Sequence, residues 1–294
     1  MKEAHIGIYM GKEGTAIIEE HSNIVISDGD FRSIIKLLKW GRCVYRNIQK
    51  FIQFQLIVSS AALLSNNVGL VVLQKVTLST IQLLWVGLIT DTLACLAFST
   101  EKPTKELIKK PPVHTEDPLV TNIMLRNILP QALFQTIVLF QMPEWNGYDY
   151  QVDVTFIFNL YVFCQVFNQI NARKLETKNV FEKILANELF LVTAVFIIVL
   201  QILFVEILKL ITDTTKLNWP QWSLCIGIAF STLPIGLIVR YIPVPNTQVM
   251  NYLLVGRIIE RFRLKKLVYL VTWASLVLLP IRRNQNAITD RHGE

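Results

Sequence analysis

Histidine and cysteine are scarce in this chain of 294 residues, four of each, and neither set clusters. His5, His21, His114 and His292 are scattered, so no metal-ligand group of ordinary spacing is visible. Cys43, Cys95, Cys164 and Cys225 form no C-x-x-C, and three of them sit inside apolar runs, where cysteine behaves as a small buried hydrophobe. A cleavable signal peptide is missing as well, because Met1 to Ile35 is polar with only short apolar runs. The first span then acts as its own insertion signal, or the chain is a fragment of something longer. Gly11-Lys12-Glu13-Gly14-Thr15 is too short and irregular for a phosphate loop of the form G-x-x-x-x-G-K-[ST], and reads as a turn. The longest gap is in positive charge: no Lys or Arg occurs between Arg126 and Arg173.

What the chain does contain is apolar surface. It is 52% hydrophobic with a formal net charge of +7, a composition that points to an all-α polytopic membrane protein. Six spans are predicted, at 51–73, 79–99, 124–142, 154–171, 188–208 and 222–242. The connections between them alternate in charge. Glu101 to Asn122 carries Lys102, Lys105, Lys109 and Lys110, the next loop (MPEWNGYDYQVD) is acidic, and NARKLETKNVFEK is basic again. The first hairpin holds only Lys75, the 208–222 loop holds Lys209 and Lys216, and the tail after Arg240 is strongly basic. By the positive-inside rule both termini are expected in the cytosol. The lipid bilayer is thus the first expected partner, and no nucleic acid is expected.

Outside the spans, residues 4–28 read as strand, short helix and strand, the edge of a soluble α/β unit. From Phe31 to Lys50 the pattern is helical and basic, with Arg32, Lys36, Lys39, Arg42, Arg46 and Lys50, and it runs into the first span without a break. That reads as a cytosolic stalk. The tail, 244–294, starts as a basic amphipathic helix and ends in an apolar run from Leu267 to Ile281. It is expected to lie on the membrane surface, with a calmodulin-type target as the alternative.

Polar residues inside the spans mark candidate sites. The stretch LSTIQLLWVGLITDTLACLAFSTE, from Leu78 to Glu101, carries one mid-span carboxylate, Asp91. A carboxylate at that depth is costly, so it faces a partner, water or an ion. Ser59, Ser60, Ser65 and Asn66 in the first span, and Asn159, Gln165, Asn168 and Gln169 in the fourth, suit interhelical hydrogen bonding. Glu206 is placed to reach the interface, and Pro130 and Pro234 are expected to kink their spans.

At this point the chain resembles a known family. KEAHIGIYMGKEGTAIIEEHSNIVISDGDFRSIIKLLKWGRCVYRNIQKFIQFQL is similar to the end of the phosphorylation domain and the fifth-helix stalk of a P-type calcium ATPase. The likeness is closest to the calmodulin-regulated type IIB pumps, the autoinhibited plant kind especially. QLLWVGLITDTLACLAFSTEKPT resembles the sixth membrane helix of that family, VFCQVFNQINARK the eighth, and SLCIGIAFSTLPIGLIVRYIPVP the tenth. The resemblance runs in order from Met1 to about Pro245.

It implies that residues 1–30 close a phosphorylation domain of HAD type, 31–50 form the stalk, and 51–243 are helices five to ten. It further implies ATP-driven calcium transport, with Ca²⁺ as the transported ion and ATP and Mg²⁺ used by the full-length family. Type IIB members hold calcium with a fourth-helix glutamate and an Asn and Asp four residues apart on the sixth helix. Asp91 stands at the Asp position, and Gly87, which offers no side-chain oxygen, stands where the family has Asn. Ser59 replaces a fifth-helix Asn, and Gln169 stands where a Glu is common. The D-K-T-G-T phosphorylation sequence, the nucleotide domain, the T-G-E actuator and the P-E-G-L-P helix have no counterpart here. The Mg²⁺-binding T-G-D-G-x-N-D loop would fall just upstream of Met1. Two functions are therefore expected: the membrane portion of a calcium pump that does not hydrolyse ATP alone, or a non-catalytic pump fragment that pairs with other membrane proteins. Plasma-membrane, vacuolar and endoplasmic-reticulum members look alike over this region.

Overall fold

The computed structural model describes residues 6–11, 16–26, 30–104, 106–109, 111–113, 117–146, 150–176, 180–181, 184, 187–207 and 215–244. Most of the expected turn at 11–15, and the basic tail beyond Val244 with its surface-helix and calmodulin readings, lie outside the described residues.

β1 (Ile8–Met10), α1 (Ala16–Glu20) and β2 (Ile24–Ile26) form the expected strand–helix–strand unit. The strands pair in parallel, with Ile8 opposite Ile24 and Met10 opposite Ile26. Parallel neighbours need a crossover, and α1 lies within it. The Asn23 side chain tightens the unit by accepting the Gly7 N–H at 2.8 Å.

A single rod then carries the chain from the stalk into the bundle. α2 (Arg32–Val68) is unbroken over 37 residues, roughly 55 Å at 1.5 Å per residue, and ends in a π-helical turn, Gly69–Leu73. Its buried positions include Cys43, Asn47, Lys50, Phe54, Ile57, Ala61 and Ser65, spaced by three or four residues, so one stripe faces the bundle. Ile35, Leu38 and Trp40 on the stalk are exposed, in keeping with their failure to define a single apolar face. Asn66 closes the following hairpin by accepting the Leu78 N–H at 2.8 Å and donating to the Leu78 carbonyl at 3.3 Å. Ser79 and Gln82 then form a reciprocal capping box that starts α3 (Thr80–Ser99).

Beyond α3 come the short α4 (Glu106–Lys109), then α5 (Asn122–Asn146), α6 (Tyr150–Ala172), α7 (Glu188–Ile207) and α8 (Trp219–Val239). α6 is the axis of the bundle: α2, α5, α7 and α8 all pack against it, and every residue from Thr155 to Val166 is buried. Aromatic rings fill the spaces between neighbours. Phe54, Phe98 and Phe190 step across α2, α3 and α7 at 5.9 and 6.2 Å between centroids. Trp85 lies 4.0 Å from Phe204, which in turn meets Phe158 of α6.

Five of these helices are long and apolar enough to cross a membrane: Arg32–Leu73, Thr80–Ser99, Asn122–Gln141, Glu188–Glu206 and Trp219–Val239. The chain is therefore a mostly α-helical, multi-pass membrane protein with a short N-terminal sheet. The predicted count was six. α6, which contains the predicted span 154–171, has the length but is not among the five, because Asn159, Gln165, Asn168, Gln169 and Asn171 dilute its apolar residues. The prolines behave differently from each other. Pro234 has no N–H for the Phe230 carbonyl four residues back, and α8 breaks at Ser231, between Trp219–Phe230 and Thr232–Val239. α5 runs through Pro130 without interruption.

Candidate ion-pathway site

Asp91 sits just past a change of helical pitch. Residues Val86–Thr90 in the middle of α3 form a π-helical turn, and the Asp91 N–H reaches back five residues to the Val86 carbonyl. In a regular α-helix that N–H would take the carbonyl of Gly87. The wide turn thus leaves Gly87 without the backbone donor it would otherwise have. Single π turns of this kind concentrate at functional sites. Gly87 is on an exposed face, and a Cβ built on it would meet nothing within 4 Å.

The turn is anchored from behind. Trp85 Nε1 donates to Gln201 Oε1 of α7 at 3.1 Å, and Gln201 Nε2 donates to Asn159 Oδ1 of α6 at 2.7 Å. Asn159 therefore acts as interhelical glue, as its position suggested. Gln165 does the same, donating to Gln135 Oε1 of α5 at 2.8 Å.

The Asp91 carboxylate itself is held from α2. Gln55 Nε2 donates to Asp91 Oδ2 at 2.8 Å. The other oxygen, Asp91 Oδ1, is buried without a hydrogen bond, and so are Gln55 Oε1 and the neighbouring Thr90 Oγ1. Two of these oxygens belong to the bonded Gln55–Asp91 pair, where native structures leave few such groups unpaired. Beside them, Tyr161 of α6 donates its hydroxyl to the Val58 carbonyl of α2 at 2.9 Å. That bond fixes α2 one residue before Ser59.

Of the residues singled out from sequence, Asp91 lies within α3 with one carboxylate oxygen bonded to Gln55 and the other buried and unpaired. Gly87 is four residues before it and lies inside the π turn. Ser59 is exposed on α2, one turn beyond Gln55, and the hydrogen bond to Asp91 comes from Gln55 instead. Gln169 is fully buried, and neither its Oε1 nor its Nε2 is hydrogen bonded. Gln55 is the residue that sequence reading passed over. Gln49, Gln53 and Gln55 look equivalent in the chain, and only the packing of α2 against α3 separates them. Among the described residues no three His, Cys, Asp or Glu side chains approach one another closely enough to hold a metal. Oxygen ligands for a cation would therefore come from one carboxylate, amides, hydroxyls and backbone carbonyls.

A second polar contact ties the stalk end of α2 to the end of α3. Lys50 forms an ion pair with Glu101 Oε2, and Arg173 Nε lies 3.6 Å from Glu101 Oε1. The Glu101 carbonyl accepts from Asn47 Nδ2 at 3.1 Å and Cys43 Sγ at 3.2 Å.

Residues 75–242 match the family described as cation transporting ATPase, C-terminus. The chain is 50% identical over 258 residues to putative calcium-transporting ATPase 13, plasma membrane-type, of Arabidopsis thaliana, and 48% identical over 256 residues to calcium-transporting ATPase 12, plasma membrane-type, of the same plant. It is 46% identical over 263 residues to calcium-transporting ATPase 5, plasma membrane-type, of Oryza sativa subsp. japonica. Each alignment covers 86% of this chain and 24 or 25% of the relative, so the chain spans about a quarter of the length of the curated relatives it matches. A match over that much of the bundle settles the family: this chain belongs to the cation-transporting ATPases, as a C-terminal membrane region of that family.

Proposed function

We propose that this chain forms the membrane portion of a calcium-transporting P-type pump of type IIB, corresponding to its fifth to tenth helices, with Asp91 as the coordinating carboxylate. The observation that carries the reading is the Asp91 region: a mid-span carboxylate steadied by Gln55, with unpaired oxygens beside it and a π turn that diverts the backbone bond from Gly87. Calcium is a hard cation that takes six to eight oxygens and accepts backbone carbonyls and waters among them. The Gly87 carbonyl and water then stand in for the side-chain oxygen that Gly87 lacks, with Ser59 contributing at most weakly. Interrupted membrane helices elsewhere present carbonyls to cations in the same way.

In this reading α6 is a sixth span. Its polar residues point into the bundle, so it meets little lipid and needs less apolar character than the helices around it. The β1–α1–β2 unit ends a phosphorylation domain, and the continuous α2 transmits its movements to the membrane. ATP and Mg²⁺ would act on segments this chain does not carry, so transport needs those segments supplied in the same protein or by a partner. The absent side chain at position 87 and the exposed Ser59 also favour a second reading, a non-catalytic pump fragment that acts through contacts with other membrane proteins.

Growth of a yeast strain lacking its own calcium pumps separates the two. Rescue by this chain, co-expressed with the ATP-handling segments of such a pump, that is lost in Asp91→Ala is the expected result for the pump reading. Absence of rescue despite confirmed membrane insertion, or rescue that survives Asp91→Ala, overturns it.

A further inference from the structure

Away from Asp91, four helices enclose a small recess near the end of α8. It is lined by Gln53 of α2, Gln131 of α5, Asn168 and Asn171 of α6, and by Gly236 and Arg240. Its walls are buried: Gln131 is 2% exposed, Asn168 0%, Asn171 4% and Arg240 7%. Five polar atoms of these side chains have no hydrogen-bond partner, namely Gln131 Oε1, Asn168 Oδ1, Asn171 Oδ1, and Nε and Nη1 of Arg240. The pattern has three acceptors and two donors around one space.

The orientation of two of the acceptors is fixed by chemistry. Gln131 Nε2 and Asn171 Nδ2 both donate to the Thr232 carbonyl, at 3.0 and 2.9 Å. A carbonyl only accepts, so turning either amide over would set oxygen against oxygen. Gln131 Oε1 and Asn171 Oδ1 therefore stay acceptors. Arg240 is held in turn by its Nη2, which donates to the carbonyls of Asn171 at 2.6 Å and Lys174 at 3.0 Å.

These groups select their ligand by exclusion. A cation is repelled by the Arg240 guanidinium, and Arg126 stands close by, donating to the Arg240 and Ile242 carbonyls at 3.4 and 3.0 Å. An anion is repelled by the two pinned amide oxygens. The recess has room for about one water molecule, so it is too small for a larger polar ligand. We infer that the recess is a binding site for a resident water, which donates to the Gln131 and Asn171 oxygens and accepts from Arg240. The water adds a link among α5, α6 and the end of α8 beside their direct hydrogen bonds. Gly236 makes the site possible, because a Cβ there would lie 2.5 Å from Asn171 Nδ2. The Asn171 amide would then have to shift and the recess would change shape.

The test is NMR of the whole chain in lipid nanodiscs with ¹⁵N-labelled arginine, the Arg240 signal being assigned by its loss in Arg240→Lys. A correlation between the Arg240 Nε–H and a long-lived water is expected, falling to background in Gly236→Ala. Gln131→Leu, which removes one acceptor at similar size, is a second variant and is expected to weaken the same correlation. A visible Arg240 Nε–H without any water correlation overturns the inference. Saturable shifts of that signal on titration with bromide overturn it too, because they would make the site an anion site.

Discussion

Two polar contacts join α2 to α3, and they are built on opposite plans. At the stalk end, Glu101 faces Lys50 and Arg173 with one carboxylate oxygen each, and its carbonyl accepts from Asn47 and Cys43. Deeper in the bundle, Asp91 has one oxygen on Gln55 and the other unpaired, and Gln55 likewise leaves Oε1 unpaired. In the first contact each carboxylate oxygen faces a cation, and the contact closes the packing. The second has oxygens to spare, as a site must if a cation is to enter and leave. Unpaired buried oxygens are destabilising by about 1–3 kcal/mol each, so their concentration beside Asp91 needs a compensating role that the Glu101 cluster does not.

The largest effect that would break this contrast comes from exchanging the roles of the two acids. Asp91→Ala is expected to abolish calcium binding by the chain in nanodiscs, measured with radioactive calcium, while thermal unfolding changes little. Glu101→Gln should do the reverse. It leaves Lys50, whose side chain is only 10% exposed, without its charge partner, at a cost of about 3 kcal/mol, while calcium binding stays within about twofold. Calcium binding lost in Glu101→Gln at unchanged stability would show that the stalk contact belongs to the ion pathway after all.

Gln55 comes next. A hydrogen bond to a charged acceptor contributes about 1.5–3 kcal/mol, so Gln55→Met should weaken calcium binding by roughly ten- to a hundredfold. The same substitution at Gln53, which accepts from Asn127 instead, should leave calcium binding alone and lower stability. Equal calcium affinities for the two variants would remove Gln55 from the site.

These two glutamines also show how far the sequence could be read. Helix positions, the strand–helix–strand unit and the uninterrupted stalk follow from hydropathy, loop charge and strand-like runs, because those patterns are local to the chain itself. Asp91 was legible for the same reason, as a lone acid among apolar residues. Gln55 was not, since its role depends on which face of α2 meets α3, and three similar glutamines lie within seven residues. The π turn left no mark either. It spans Val86-Gly87-Leu88-Ile89-Thr90, which reads as ordinary apolar helix, and what holds it is the distant Trp85–Gln201–Asn159 chain. α6 illustrates the converse: its amides lower the hydropathy that marks a span, and they are buried against neighbouring helices.

Gly87→Asn sharpens the comparison by gain instead of loss. A Cβ there meets nothing within 4 Å, so the side chain fits and brings an oxygen to the side of α3 that carries the π turn. Calcium binding should tighten on the order of tenfold, since ligand number and charge set the affinity of such sites. Unchanged affinity would mean that the π turn points position 87 away from Asp91.

Ser59→Ala is the smallest expected effect, and its direction separates a ligand from a bystander. Ser59 is exposed, one helical turn beyond Gln55, and the neighbouring Val58 carbonyl is already bonded to Tyr161. That bond keeps α2 in place whatever stands at 59. The substitution should therefore change calcium affinity by less than about twofold, within the ±0.5 kcal/mol typical of surface changes. A loss comparable to that of Gln55→Met would instead place the Ser59 hydroxyl on the ion. The site would then extend a full turn along α2, on the face left uncovered by the rest of the bundle.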